Sequence, residues 1–327
     1  MSVCIAVMAE RKGAIVCVAD EKADFGEFAA DNIGEKEDML SFDCLAMYAG
    51  NDPEYAPIIL ESTKAKLAGK LWTPQVAAEC LRLSYHECLQ EEVKNKVLSK
   101  YNLNTDAFLR NGRAMFTPEL FTTICSRIEN VKISLRFLVC GFERHPKDEA
   151  KCKAHIYEVS DSDAVKCRDS TGMWSIGAGN YLALSSLAFA AHKRGLTKNS
   201  SLSEAIYCAM EAKFMEESNG LVGEATNVGV ITPDSIGIMP NHRIDRIRRE
   251  WNKSGAPRIP KGLLETIPGS VNTMRWKKTS TRATRAKLFE DMGWSESETV
   301  GNRAAKLSEQ GEPKPKPSTS GKLEPKP

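Results

Sequence analysis

Residues 2–20 read SVCIAVMAERKGAIVCVAD, and this stretch decides the fold. Val3, Ile5 and Val7 alternate with Ser2, Cys4, Ala6 and Met8, a period of two with small or apolar side chains on both faces. ERKG (10–13) supplies a charged turn with its glycine last, and Ala14 to Ala19 form a second apolar run. The pattern predicts a β-hairpin whose first strand starts at residue 2. Chain ends usually fray, and one physical reason to tie one down is to use its amine.

The rest of the chain constrains what that hairpin belongs to. The 327 residues suffice for one large domain or two ordinary ones, and 42% hydrophobic with 27% charged residues is a globular composition. No apolar run approaches the ~20 residues that span a bilayer, and no basic segment precedes an apolar core, so neither a membrane span nor a signal peptide is expected. Ten cysteines are scattered without a CxxC pair, several of them inside apolar strand runs such as Cys17 and Cys140. That usage fits buried thiols in a reducing cytoplasm better than disulfides or zinc ligation. Charge is divided unevenly: from Asn241 onward there are 19 Lys/Arg against 10 Asp/Glu, leaving 26 against 33 in the first 240 residues.

Beyond the hairpin, SFDCLAMYAG (41–50) reads as a strand ending at a glycine, and 52–69 and 74–99 carry apolar residues at helical spacing. Residues 100–112 are polar and loop-like, and MFTPELFTTIC (115–125) reads as a short helix. ISLRFLVCGFE (133–143) and AHIYEVS (154–160) are strands. Residues 174–193 run from a short strand through glycines into a helix. A second helix follows at 201–217, opened by a Ser201-x-x-Glu204 capping box, and TNVGVITPDSIGIM (226–239) closes as a strand and its turn. Helices in pairs between groups of strands do not make βαβ crossovers; they predict an α+β protein, a four-layer αββα sandwich of antiparallel sheets covered by helix pairs. The expected organisation is a domain over 1–240, a basic extension with short helices over 241–310 (HRIDRIRREWNK and KLFEDMGWSE), and a disordered Pro/Lys-rich tail over 311–327.

With this element order and a buried first strand, residues 2–239 resemble the proteasome-type N-terminal nucleophile (Ntn) hydrolases, the proteasome β subunits and the related bacterial ATP-dependent protease subunit. The resemblance rests on six local signatures in order: the opening hairpin ending at an aspartate, EKADFG (21–26), a lysine ahead of MLSFDCLAMYAG (39–50), FLVCGFE with HIYEV, SIGAGNYLALSSL (175–187), and TNVGVIT (226–232) after a helix. It implies a hydrolase of amide or peptide bonds in which the first residue supplies both a hydroxyl nucleophile and, through its α-amine, the general base. An α-amine titrates near ~7.7 to 8.0 and accepts a proton at neutral pH, which an ordinary lysine cannot.

Carried over residue by residue, the resemblance makes Asp20 the strand-end aspartate, Lys36 the lysine beside the amine, and Gly50 the oxyanion-hole glycine. Ser2, exposed by ordinary removal of Met1, is the nucleophile by strand pattern, given a hairpin two residues longer than the family's. Gapless counting from Asp20, Lys36 and Gly50 instead selects Cys4, which would need a cut after Val3. The family's glycine-loop serine is Ala178 here, and its distal Asp and Ser fall near Asn219 and Val222, with Gly223 retained. These departures favour the alternative, a catalytically inactive scaffold or assembly subunit of the same fold.

Taken singly, each residue has a plainer role: Ser2 a strand-start hydroxyl, Asp20 a turn cap, Lys36 a solvated charge, Gly50 a turn glycine. His86, His145, His155, His192 and His242 have no ligand spacing, so no metal site is expected, and no cofactor is implied. Expected partners are a peptide or small-amide substrate and no membrane. The resemblance adds a homo-oligomeric ring and an ATPase to the partner classes, neither of which the residues themselves report. RIRREW and RWKKTSTRATR interleave cations with tryptophan and raise nucleic-acid contact through the basic tail, against the plainer reading of a solubilising or docking extension.

Overall fold

The computed structural model describes residues 2–24, 29–30, 36–41, 43–70, 72–144, 152–161, 164–218, 220 and 222–254. The opening hairpin is β1 (Val3–Ala9) and β2 (Ala14–Asp20), antiparallel with Cys4 opposite Ala19 and Ala9 opposite Ala14. All seven residues of each strand are buried. The turn differs from expectation in where it bends. Gly13 is right-handed (φ −84°), while Glu10, Arg11 and Lys12 carry positive φ of 51°, 56° and 69°. Two long-range bonds hold these left-handed residues: Glu10 N–H to Ser200 O (2.9 Å) and Lys12 N–H to Lys198 O (3.2 Å).

The chain then forms β3 (Ala23–Asp24), β4 (Ala29–Ala30), β5 (Glu37–Ser41), β6 (Cys44–Gly50), α1 (Tyr55–Leu67) and α2 (Pro74–Val93). Thr73 caps α2 by accepting from Val76 N–H, with Pro74 at the first helical position. Next come α3 (Thr105–Met115), α4 (Pro118–Glu129), β7 (Leu135–Glu143), β8 (Lys153–Ser160), β9 (Lys166–Cys167) and β10 (Met173–Gly177). The chain continues through α5 (Asn180–Phe189), α6 (Leu202–Glu217), β11 (Thr226–Thr232), β12 (Ser235–Ile238) and α7 (Asn241–Ser254).

The protein is thus α+β, with two five-stranded antiparallel sheets in the orders β10-β1-β2-β11-β12 and β5-β6-β7-β8-β9. Alternation sorts the hairpin's side chains into two cores. Val3, Ile5, Val7, Val16 and Val18 pack with Ala183 and Leu187 of α5 and with Ile206, Met210 and Phe214 of α6. Cys4, Ala6, Met8, Ile15 and Cys17 meet Met47, Leu138, Cys140 and Ile156 of the other sheet. A third core sets β6, β7 and β8 against α1 and α2 through Leu60, Leu81, Tyr85 and Phe137. Strands covered on both sides carry the near-continuous apolar runs of the hairpin, at roughly 1.5–3 kcal/mol for each large aliphatic side chain removed from water.

Two segments correct the sequence reading. The stretch 100–112, expected as loop, contains most of α3, which begins where Asn104 accepts from Ala107 N–H (2.8 Å). The helix expected at 115–125 is α4, shifted to begin at Pro118 under a Thr117 cap. The two helices share a small core with Val93, Val97 and Leu98 from the end of α2 and just after it, and the Phe108 and Phe121 rings stack at 5.2 Å. On the far side of the boundary drawn at 240, α7 packs back on the first sheet's helical face through Ile244, Ile247 and Trp251. KLFEDMGWSE, the Pro/Lys-rich tail, His145 and Asn219 lie outside the described residues. Among the described residues no helix is long and apolar enough to cross a membrane, no three His, Cys, Asp or Glu gather as a metal site, and all ten cysteines are free thiols.

Candidate active site

The hairpin register puts Asp20, the last residue of β2, beside the start of β1. Asp20 is fully buried and accepts four hydrogen bonds from the described residues. Its Oδ1 takes Val3 N–H and Lys36 Nζ, both at 2.8 Å; its Oδ2 takes Gly223 N–H at 3.2 Å and Lys22 N–H at 3.3 Å. Lys36, which stands just ahead of β5, has a side chain only 5% exposed. A buried ion pair with its lone pairs filled is tolerable, whereas removing one partner leaves a bare charge at about 3–5 kcal/mol.

Ser2 is 5% exposed and lies one peptide bond from this pair. Its carbonyl accepts Ala178 N–H at 3.0 Å. Gly177 ends β10 at φ +103°, and any Cβ there would collide with the Ser2 carbonyl, so the loop that holds residue 2 requires this glycine. That same Cβ would stand 3.0 Å from the Ala49 methyl, which brings the end of β6 next to residue 2. Gly50 follows; a side chain there would strike Ser134 O across the β6–β7 ladder. Tyr48 ties β6 to the lysine by donating its N–H to Lys36 O at 3.0 Å.

Cys4, the alternative nucleophile, sits two residues inside β1 with Ala19 on one side and Ile176 on the other. It is fully buried, and its Sγ donates to Tyr48 O at 3.2 Å. Burial pushes its thiol well above the usual cysteine range, and the nearby Lys36 ammonium offsets this only in part. The structure therefore gathers Ser2, Asp20, Lys36 and Gly223, with Gly50 at the adjoining strand end. Cys4 is held as a protonated core thiol. Ala178 contributes its amide, and Val222 is buried in the helix-side core.

Three supporting residues escaped the sequence reading. Glu216 of α6 is fully buried and accepts from Ala183 N–H in the first turn of α5, just past the Gly177–Gly179 loop. A Cβ on Gly179 would run into that carboxylate. Lys213, also fully buried, donates to Gly223 O (2.6 Å), Glu224 O (2.9 Å) and Glu217. Burial lowers its pKa to about 8. Arg248 of α7 reaches Glu217, Glu224 O and Thr226 Oγ1. The available signal was that Glu211, Lys213 and Glu216 interrupt a run, AIYCAMEAKFMEE, that is otherwise apolar on nearly every face of the helix. Elsewhere, His155 on β8 binds Asp169 through Nδ1 (2.6 Å) and Glu143 through Nε2 (3.3 Å), and the Asp169 bond raises its pKa.

The chain matches no model of a known protein family, and no curated protein matches it.

Proposed function

We propose that the protein is an N-terminal nucleophile hydrolase of amide bonds, with Ser2 as nucleophile and the Ser2 α-amine as general base. The observation that carries this reading is the buried Lys36–Asp20 pair hydrogen-bonded to the amide of Val3, one bond from Ser2. The stacking of helices, two sheets and helices supports the finer fold reading as well, a four-layer αββα sandwich of the Ntn type.

With the chain cut ahead of Ser2, the freed amine stands beside an ammonium, whose positive charge favours its neutral, proton-accepting form. The Ser2 hydroxyl oxygen attacks the substrate carbonyl carbon as the amine takes the hydroxyl proton. Charge on the resulting oxyanion is met by the backbone N–H of Gly50 at the end of β6. Collapse breaks the C–N bond, and the departing nitrogen takes the proton back from the α-ammonium. Water, deprotonated by the same amine, then hydrolyses the Ser2 ester and restores the enzyme. Asp20 holds Lys36 in place throughout, and the Ala178 amide fixes the Ser2 carbonyl.

The test is the intact mass of the purified protein before and after exposure to an electrophilic β-lactone. Loss of Met1 and addition of a single label, absent in Ser2→Ala, is the expected result. A label that follows Cys4 transfers the nucleophile. Retained Met1, or an acetylated terminus without label, replaces the hydrolase with a scaffold of the same fold.

A further inference from the structure

Gly223 N–H is one of four donors to Asp20 among the described residues, and it sits in a short segment between α6 and β11 rather than in a ladder. What fixes that segment is a charge network, fully buried at Lys213 and partly exposed at Glu217 and Arg248, that the proposed reaction does not use. Lys213 of α6 binds the two consecutive carbonyls Gly223 O and Glu224 O. Arg248 of α7 binds Glu224 O again and also Thr226 Oγ1 (3.1 Å). Glu217 joins the two cations, its Oε1 on Lys213 and its Oε2 on Arg248. The Arg248 guanidinium lies 4.4 Å from the centre of the Phe214 ring, and Phe214 in turn touches Trp251 of α7.

Packing alone needs none of this charge. Ile244, Ile247 and Trp251 already seal α7 to the helical face, and an aliphatic residue at 248 would extend the seal without partly desolvating a guanidinium. A guanidinium does what an aliphatic group cannot: its planar fork engages a carboxylate, a carbonyl and a hydroxyl from separate elements at once.

We infer that α7 is a latch for the catalytic carboxylate: Arg248, acting with Lys213, is a positioning residue that holds segment 222–226 so that Gly223 keeps its bond to Asp20. The inference rests on the hydrolase reading for its effect on rate, but not for its effect on structure. The basic extension that begins at Asn241 thereby controls the site from outside it. Undocking α7, by a partner or by truncation, removes the Arg248 bonds to Glu217, Glu224 O and Thr226 Oγ1, leaves the segment on Lys213 alone, and so loosens the bond from Gly223 to Asp20.

The experiment uses the full chain as wild type, Arg248→Ala, Arg248→Lys, and Leu187→Ala as a variant destabilised elsewhere in the same core. Amide hydrogen exchange at Val3 and Gly223 is measured by NMR, alongside the rate of β-lactone labelling at Ser2. Arg248→Ala is expected to speed exchange at Gly223 by about tenfold or more and to slow labelling by a similar factor, as loss of a charged tether from a local opening unit implies. Arg248→Lys, which can keep one of the three bonds, should fall between, and Leu187→Ala should leave exchange at Gly223 near wild type. Exchange in Arg248→Ala within twofold of wild type, or an equal rise in Leu187→Ala, overturns the latch. If the wild-type chain takes no label the hydrolase reading falls, and exchange at Gly223 alone decides the latch.

Discussion

Lys36 and Lys213 are both buried ammonium groups, and the difference between their surroundings separates the two halves of the site. Lys36 has a carboxylate at 2.8 Å, and that carboxylate's remaining lone pairs are filled by three backbone amides. Lys213 shares its one carboxylate, Glu217, with Arg248 and relies on two carbonyls for the rest. Burial lowers the Lys213 pKa to about 8, Glu217 pulls it back only in part, and the neighbouring Arg248 guanidinium adds to the fall. The first arrangement is a closed pair, which on the proposed reading presents its charge to the Ser2 amine. The second is an under-compensated junction whose role is to hold backbone.

The contrast breaks most directly at Asp20. Asp20→Asn strands the Lys36 ammonium and should cost about 3–5 kcal/mol of unfolding free energy in urea, with loss of labelling at Ser2. A cost below that of Lys213→Met would put the critical charge at the wrong end of the network.

The second effect is read by pH. A folded Lys213 gives up its proton near 8, while in the unfolded chain it holds on to about 10.5. Between those values the unfolded state binds more protons, so stability rises with pH through this window, by roughly 3 kcal/mol at most. Below pH 8 the full cost of burying the charge is present. Denaturant melts from pH 8 to 10 should show this rise in the wild type and lose it in Lys213→Met; identical slopes would mean that Lys213 is not a strained cation.

A smaller effect is expected at Cys4. Cys4→Ala removes one thiol bond to Tyr48 O from a close-packed core and should cost about 1–2 kcal/mol while leaving labelling at Ser2 intact. Loss of labelling with the fold preserved would return Cys4 to the catalytic role. The smallest change sets the baseline for all of these. Lys94 and Glu91 pair at 2.8 Å with both side chains about half exposed, and Lys94→Ala should move stability by no more than ~0.5 kcal/mol.

Much of this architecture was legible residue by residue. The period-two run from Val3 to Met8, the apolar return from Ala14, the paired helices and the Ser201–Glu204 capping box each announce a local structure that burial then preserves. Asp20 and Lys36 were legible too, but only as positions in an ordered series; alone, each looks like an ordinary turn or surface charge. The helix α3 was hidden because its sequence is polar on most sides and only Phe108 and Gly112 are buried, against the neighbouring α4. The left-handed turn at 10–12 was hidden because its support comes from Lys198 and Ser200, nearly two hundred residues away.

What the sequence determined by itself is the pattern of surfaces: which strands lie covered on both faces, which helices show an apolar stripe, and that the hairpin is built into the fold from residue 2. Those follow from side-chain periodicity, a property of near neighbours in the chain. Only the tertiary structure decided which charges share a site. Val3, Asp20, Lys36 and Gly223 span 220 positions, and Lys213, Glu217 and Arg248 join them through one loop. Coulomb interactions and desolvation depend on distance and dielectric surroundings in space, and neither is written in the order of residues along the chain.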